Sequence, residues 1–186
     1  MILRSLAAFV LFLATACQAA RDPAPSPPAR AELTPVKIDS PEVAANYYQV
    51  GQCYLAGQPT EKGFAEAKAK GVKTVLNLRL EDEQQAFDEK KLLEAMSLNY
   101  VHLPVSPKTP SDETVDRFLD TLKTAPKPIL IHCGSAGRVS GLWAIHLVVD
   151  EGISPEEALA LAGQSGLKSD DFKAFVRGYL ERRKKR

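Results

Sequence analysis

The spacing of apolar residues changes several times along the chain, and each change marks an element. Residues 1–20, MILRSLAAFVLFLATACQAA, run from one early arginine through an apolar stretch to small residues. That layout predicts a secretory signal, because roughly a dozen apolar residues are too few to span a bilayer comfortably. Residues 21–45 open with RDPAPSPPARAELTPV, which is rich in proline and shows no apolar period. Proline removes backbone donors and favours extended conformers, so this stretch is expected to be a linker ahead of a domain at 46–186.

From Tyr47 the pattern becomes regular. YYQVGQCYLAG is β-prone and ends at a glycine, predicting a first strand. PTEKGFAEAKAKG carries helix start signals in Pro59 and Thr60 and a stop at Gly71. VKTVLNL is nearly all apolar in its centre, as a strand buried on both faces must be. QQAFDEKKLLEAMSLN has the 3.6-residue period of an amphipathic helix, and YVHLPV follows as a strand. SPKTPSDETVDRFLDTLKTA holds a proline-broken loop and a helix capped by Ser111. KPILIH is a further strand, and RVSGLWAIHLVVDEG a helix apolar on most faces, hence central. SPEEALALAGQSG, with a capping box at Ser154 and Glu157, and SDDFKAFVRGYLERR complete the set. Strands alternating with helices predict a single α/β domain, with a mostly parallel central sheet flanked by helices. In such sheets ligands gather beyond the carboxyl ends of the strands.

Charge narrows the function little. Across 186 residues, 24 Lys and Arg against 23 Asp and Glu give a net charge of +1. Nothing in that balance recommends nucleic acid as a partner. The basic ERRKKR end reads as a solvated helix terminus. Three scattered histidines and no cysteine pair at ligand spacing argue against a metal site, and no cofactor is implied. A monomer is expected.

The chemistry concentrates in IHCGSAGRVSGLWA, where a cysteine closes a buried strand and an arginine opens a helix. Gly134, Ser135, Ala136 and Gly137 are small enough to curl with their amides turned inward, forming a ring that binds a tetrahedral anion at a helix N-terminus. Arg138 adds a planar pair of donors suited to two phosphate oxygens. The same positive surroundings are expected to favour thiolate at Cys133, making it the nucleophile of a phosphoryl transfer.

This segment resembles the signature of cysteine-dependent phosphatases of the protein-tyrosine and dual-specificity superfamily. AGQPTEKGFAEAKAKGVKTVLNLRLEDE and YVHLPV are similar, in the same order, to its bacterial branch, which includes the phosphatase-like domain of β-lactamase hydrolase-like proteins. The resemblance covers about Tyr47 to Val149 and implies the superfamily fold, with Cys133 as nucleophile and Arg138 as phosphate clamp. His132 would support the loop. Ser140 stands one place beyond the hydroxyl usual after the arginine, and stabilising the thiolate is its expected role. Arg79, at the end of a strand, would either touch substrate or pair with Asp82 or Glu83.

Two departures qualify the resemblance. Four residues, not the usual five, separate Cys133 from Arg138. Loops of that length also occur in rhodanese-type sulfurtransferases, so sulfur transfer through a Cys133 persulfide is an alternative, as is a weakly active anion-binding module. The general acid is also displaced: Pro107 falls where the related aspartate belongs. Asp112 is the nearest substitute, with helix-end stabilisation as its other role; Asp82 and Glu83 are further candidates. The partner expected is a phosphorylated substrate or other oxyanion. LATAC around Cys17 resembles a lipobox, so the exported protein would be periplasmic or anchored through a lipid on Cys17, its only membrane contact. Cys53 is either a buried inert thiol or a disulfide partner of Cys133.

Overall fold

The computed structural model describes residues 30–83, 87–108 and 110–186. The signal, the lipobox and Cys17 lie outside these residues. Six strands form one sheet: β1 (Val36–Lys37), β2 (Tyr47–Val50), β3 (Cys53–Ala56), β4 (Thr74–Asn77), β5 (Asn99–His102) and β6 (Ile129–His132). Their order is β1-β2-β3-β6-β4-β5. The first two pairings are antiparallel, and β3, β6, β4 and β5 run parallel. Helices α1 (Glu61–Ala69), α2 (Glu89–Ala95), α3 (Asp112–Thr124), α4 (Gly137–Val149), α5 (Pro155–Gln164) and α6 (Asp170–Arg183) cover both faces. The α/β expectation is met, and β6 is central with every side chain buried.

Sequence and structure differ in three places. The predicted first strand is a hairpin, because Gly51 adopts φ 53 and reverses the chain between β2 and β3. Of the helix expected over 84–99, the described residues 87–99 contain the shorter α2, whose N-cap Asp88 accepts from the Lys91 amide at 3.0 Å. Residues 30–45, read as linker, belong to the folded domain. They form a 3₁₀ turn at Arg30–Leu33, the strand β1, and a segment that buries Val43 completely. Gly63 on α1 makes this docking feasible, since a Cβ there would collide with the Glu42 carbonyl and Val43.

Two apolar clusters hold the layers. One packs α3, α4, α5 and α6 on one face, through Phe118, Trp143, Leu167 and Tyr179. The other packs α1 and α2 on the opposite face, through Phe64, Val75 and Leu93. Helix starts follow side-chain chemistry. Thr60, Asp88, Ser111, Ser154 and Ser169 each accept from an amide of their own helix. Helix α4 has no such cap. No helix among the described residues is long and apolar enough to cross a membrane.

Candidate active site

The uncapped end of α4 follows directly from Cys133, at the carboxyl end of β6. The loop is flanked on one side by Gly57 and Gln58 after β3, and on the other by Leu78 to Glu83 after β4. Its carbonyls are tied outward: Gly134 O accepts from the Gln58 amide at 3.2 Å, and Ser135 O from Asn46 Nδ2 at 3.2 Å. Among the described residues, the amides of Gly134 to Val139 donate to no protein acceptor. Backbone donors seldom go unmatched, and a run of them at a helix N-terminus is an anion site. The curl is made at Ala136, with φ 71, rather than at either neighbouring glycine. A left-handed alanine is uncommon and costs on the order of 1 kcal/mol, which the surroundings must hold in place. Gly166 packs on it, with a Cβ position 3.3 Å from the Ala136 side chain.

Arg138 is 8% exposed and lies over the loop, with Nη2 3.7 Å from the Cβ position of Gly134. Its Nη1 donates to Glu83 Oε1 (2.5 Å), Val105 O (3.1 Å) and Leu78 O (3.2 Å), and Nη2 to Glu83 Oε2 (2.7 Å). Burial would weaken the guanidinium's hold on its proton. The Glu83 carboxylate and the Cys133 sulfur outweigh it and raise the pKa. In return, the Arg138 hydrogen bonds hold the Glu83 carboxyl down at about 2.

From Glu83 a chain of contacts circles the loop. Glu83 Oε2 is 3.3 Å from Arg79 Nε, and Arg79 Nη1 donates to Gln58 Oε1 at 2.6 Å. Gln58 Nε2 donates to Glu89 Oε2 at 2.9 Å, and Glu89 Oε1 meets His132 Nε2 at 2.9 Å. Burial acts against the Glu89 charge, but the hydrogen bonds from His132 and Gln58 overcome it and lower its pKa. His132 is thus fixed from behind, one residue before Cys133, with its ring edge-on to Phe64 at 5.7 Å.

The structure therefore brings together Cys133, Gly134, Ser135, Ala136, Gly137, Arg138, His132 and Arg79. Arg79 takes the pairing alternative through Glu83. Two expected residues point elsewhere. Ser140 Oγ donates to the Ser165 carbonyl at 2.8 Å and accepts from Ser165 Oγ at 3.0 Å, tying α4 to the turn that supports Ala136. Asp112, the expected acid, is gripped by Arg182 at 2.7 and 3.0 Å and by Arg186 at 2.9 Å. The Arg182 hydrogen bond lowers its pKa, the wrong direction for a proton donor. The disulfide alternative also fails. Cys53 pairs in register with Ile129, four residues before Cys133, and both thiols are free. At about 3.3 Å per strand residue they are roughly 13 Å apart, far beyond disulfide reach.

Gln58 and Glu89 were missed. The signal for Glu89 was its spacing four residues before Leu93, which puts an acid on the apolar face of α2.

A family model described as DSP-PTPase phosphatase fused to NAD+ kinase matches residues 25–177. The chain belongs to this family. A β-lactamase hydrolase-like protein of Agrobacterium fabrum is 27% identical over 100 residues, 52% of this chain and 23% of that protein. The chain thus spans about a quarter of the length of that curated relative. TpbA of P. aeruginosa, solved as a cysteine-to-serine variant in complex with pTyr, superposes with TM-score 0.67 at 23% identity, over 81% of this chain and 92% of that one. The core catalytic domain of the PP-IP phosphatase SIW14 from S. cerevisiae gives TM-score 0.63 at 18% identity, over 71% and 83%. These two likenesses concern the fold. The phosphatase family membership rests on the matched residues, which include the whole cysteine loop.

Proposed function

We propose that the protein cleaves a phosphomonoester through a phosphocysteine on Cys133. The observation that carries this is the run of unpartnered amides from Gly134 to Val139, joined by Arg138, beside the Cys133 sulfur. The thiolate attacks phosphorus, an S–P bond forms, and the P–O bond to the leaving group breaks. Water then attacks phosphorus, the S–P bond breaks, and inorganic phosphate leaves with the thiolate restored. The loop amides and Arg138 hold the equatorial oxygens throughout. With Asp112 committed to α6 and Glu83 held down by Arg138, aryl phosphates whose stable phenolates can leave without a proton are the favoured substrates. Export is part of this reading, supported by the apolar segment that ends in LATAC.

The test is Cys133→Ser in a folded protein. Turnover of an aryl phosphate should vanish while orthovanadate still binds, and rapid quench of the wild type should trap a cysteine phosphate. Wild type that is folded yet inert toward aryl phosphates would sink the proposal. The four-residue spacing between Cys133 and Arg138 favours sulfur transfer as the second reading. Thiocyanate release from thiosulfate and cyanide, lost in Cys133→Ser, would support it.

A further inference from the structure

Beside the loop lies a cavity of about 690 Å³, reaching from the end of β4 to the start of α2. That volume is within the roughly 300–1,000 Å³ of small-molecule sites. Two of its lining residues contact the side chains that flank the anion loop. Glu83 bonds Arg138, and Glu89 bonds His132.

The walls select for charge. Among the described residues, Glu81, Asp82, Glu83, Asp88 and Glu89 line the cavity, with Lys90 and His102 as its basic side chains. Lys90 is held 3.9 Å from Glu94 on the outer surface. Glu83 and Glu89 are matched by Arg138 and His132 behind the wall. Glu81, Asp82 and Asp88 are exposed; Glu81 Oε1 lies 3.3 Å from His102 Nδ1, and Asp88 also caps α2. Aromatic rings share these walls: Phe87, Tyr100 and His102 also line the cavity, the last two stacked at 6.2 Å and 18°. Tyr100 is anchored by the Asn77 amide, which donates to its hydroxyl at 3.0 Å. His102 is anchored by the Arg79 carbonyl, 2.8 Å from Nε2. Fixed aromatic faces joined to carboxylates form the surroundings that stabilise an ammonium or guanidinium. The same walls repel a second phosphate or a carboxylate.

We infer that the substrate is a phosphomonoester whose organic part carries a cationic group, which this cavity receives while the phosphate sits in the Cys133 loop. The inference rests on the phosphatase reading above, and its test separates the two. Three aryl phosphates with similar leaving groups serve as probes: tyramine phosphate (ammonium), 4-methylphenyl phosphate (neutral) and 4-(carboxymethyl)phenyl phosphate (anionic). Phosphate release is followed for wild type and for Glu81→Gln/Asp88→Asn, in which asparagine keeps the α2 cap.

The ammonium probe should be preferred over the neutral one by about tenfold in kcat/KM, and the anionic probe should be the poorest. In the double variant that spread should shrink to roughly threefold or less, with the neutral probe unchanged. Turnover of all three at equal rates, or in reversed order, overturns the inference and leaves the phosphatase reading intact. No turnover of any probe by folded protein overturns the phosphatase reading, and the inference with it. A preference untouched by the double variant overturns the assignment to this cavity.

Discussion

Among the described residues, two cysteines mark opposite ends of adjacent strands in one sheet. Cys133 is 1% exposed and Cys53 5%, so burial does not tell them apart. Polar surroundings do. Cys53 opens β3 within the apolar cluster of Leu33, Val50, Leu122 and Trp143, beside a cavity of about 280 Å³ that Glu32, Lys127, His146 and Glu151 also line. Burial pushes its thiol up to about 11, with Lys127 only partly opposing. Cys133 follows the end of β6, where the chain leaves the ladder and its amides lose their sheet partners. Arg138, reaching over the loop, has the Cys133 sulfur among the groups that keep it cationic. In a parallel sheet the strand's carboxyl end supplies free donors and a helix N-terminus together, whereas the amino end supplies neither here. The reactive position follows from chain direction more than from residue type.

The sharpest way to break this comparison is to remove each sulfur in turn. Cys133→Ser should cut turnover by at least about a thousandfold with the fold retained. Cys53→Ala should leave kcat/KM within about twofold and cost about 1–2 kcal/mol in denaturant unfolding, as small core truncations do. Loss of turnover in a folded Cys53→Ala protein would end the distinction between the two ends.

Arg138→Lys comes next in size. Lysine keeps a charge but cannot give two parallel donors to Glu83 or to a bound phosphate. A fall of about a hundredfold in kcat/KM is expected, with weaker vanadate binding. At the quiet end, Cys53 should react with iodoacetamide about a hundredfold more slowly at pH 8 than a free cysteine. Only the thiolate reacts, and its fraction falls tenfold for each step from 9.0 to about 11. Peptide mapping of the labelled Cys133→Ser protein measures this directly.

The contrast also explains what could be read in advance. The order of elements from Tyr47 to Arg183 was legible, because each strand and helix has its own period and most boundaries carry caps or glycines. The hairpin was not: Cys53 continues the β-prone run after Gly51, and only the backbone angle reveals the reversal. The start of the domain was missed because a two-residue strand and isolated residues such as Val43 have no period to detect. In the site, the Cys133-to-Arg138 loop was legible because it is contiguous. Its partners Gln58, Glu83 and Glu89 come from three separate segments, and their meeting is a product of strand order. Asp112 was misjudged for the converse reason. Proximity along the chain suggested the loop, while its carboxylate is satisfied by arginines 70 and 74 residues away.

The smallest expected effect concerns the loop end's dependence on acid. Glu83 has its carboxyl lowered from 4.5 to about 2, mainly by the Arg138 hydrogen bonds. A group depressed in the folded state contributes its full stabilisation above its unfolded pKa, and loses it as pH falls through the folded value. The Glu83 contribution is therefore complete above about pH 4.5 and disappears between there and about pH 2. Glu66, Glu89, Asp112, Asp150 and Asp170 are lowered too, so the wild-type acid limb is a sum. Subtracting Glu83→Gln isolates one member. Urea midpoints from pH 7 to pH 3 should fall less steeply in the variant than in the wild type below pH 4.5, with the difference constant above it. Cys53→Ala, at the other end of the sheet, should run parallel to wild type throughout that range. Parallel curves for Glu83→Gln would mean that the carboxylate does not hold the guanidinium in solution, and the electrostatic contrast between the two ends would be smaller than the geometry implies.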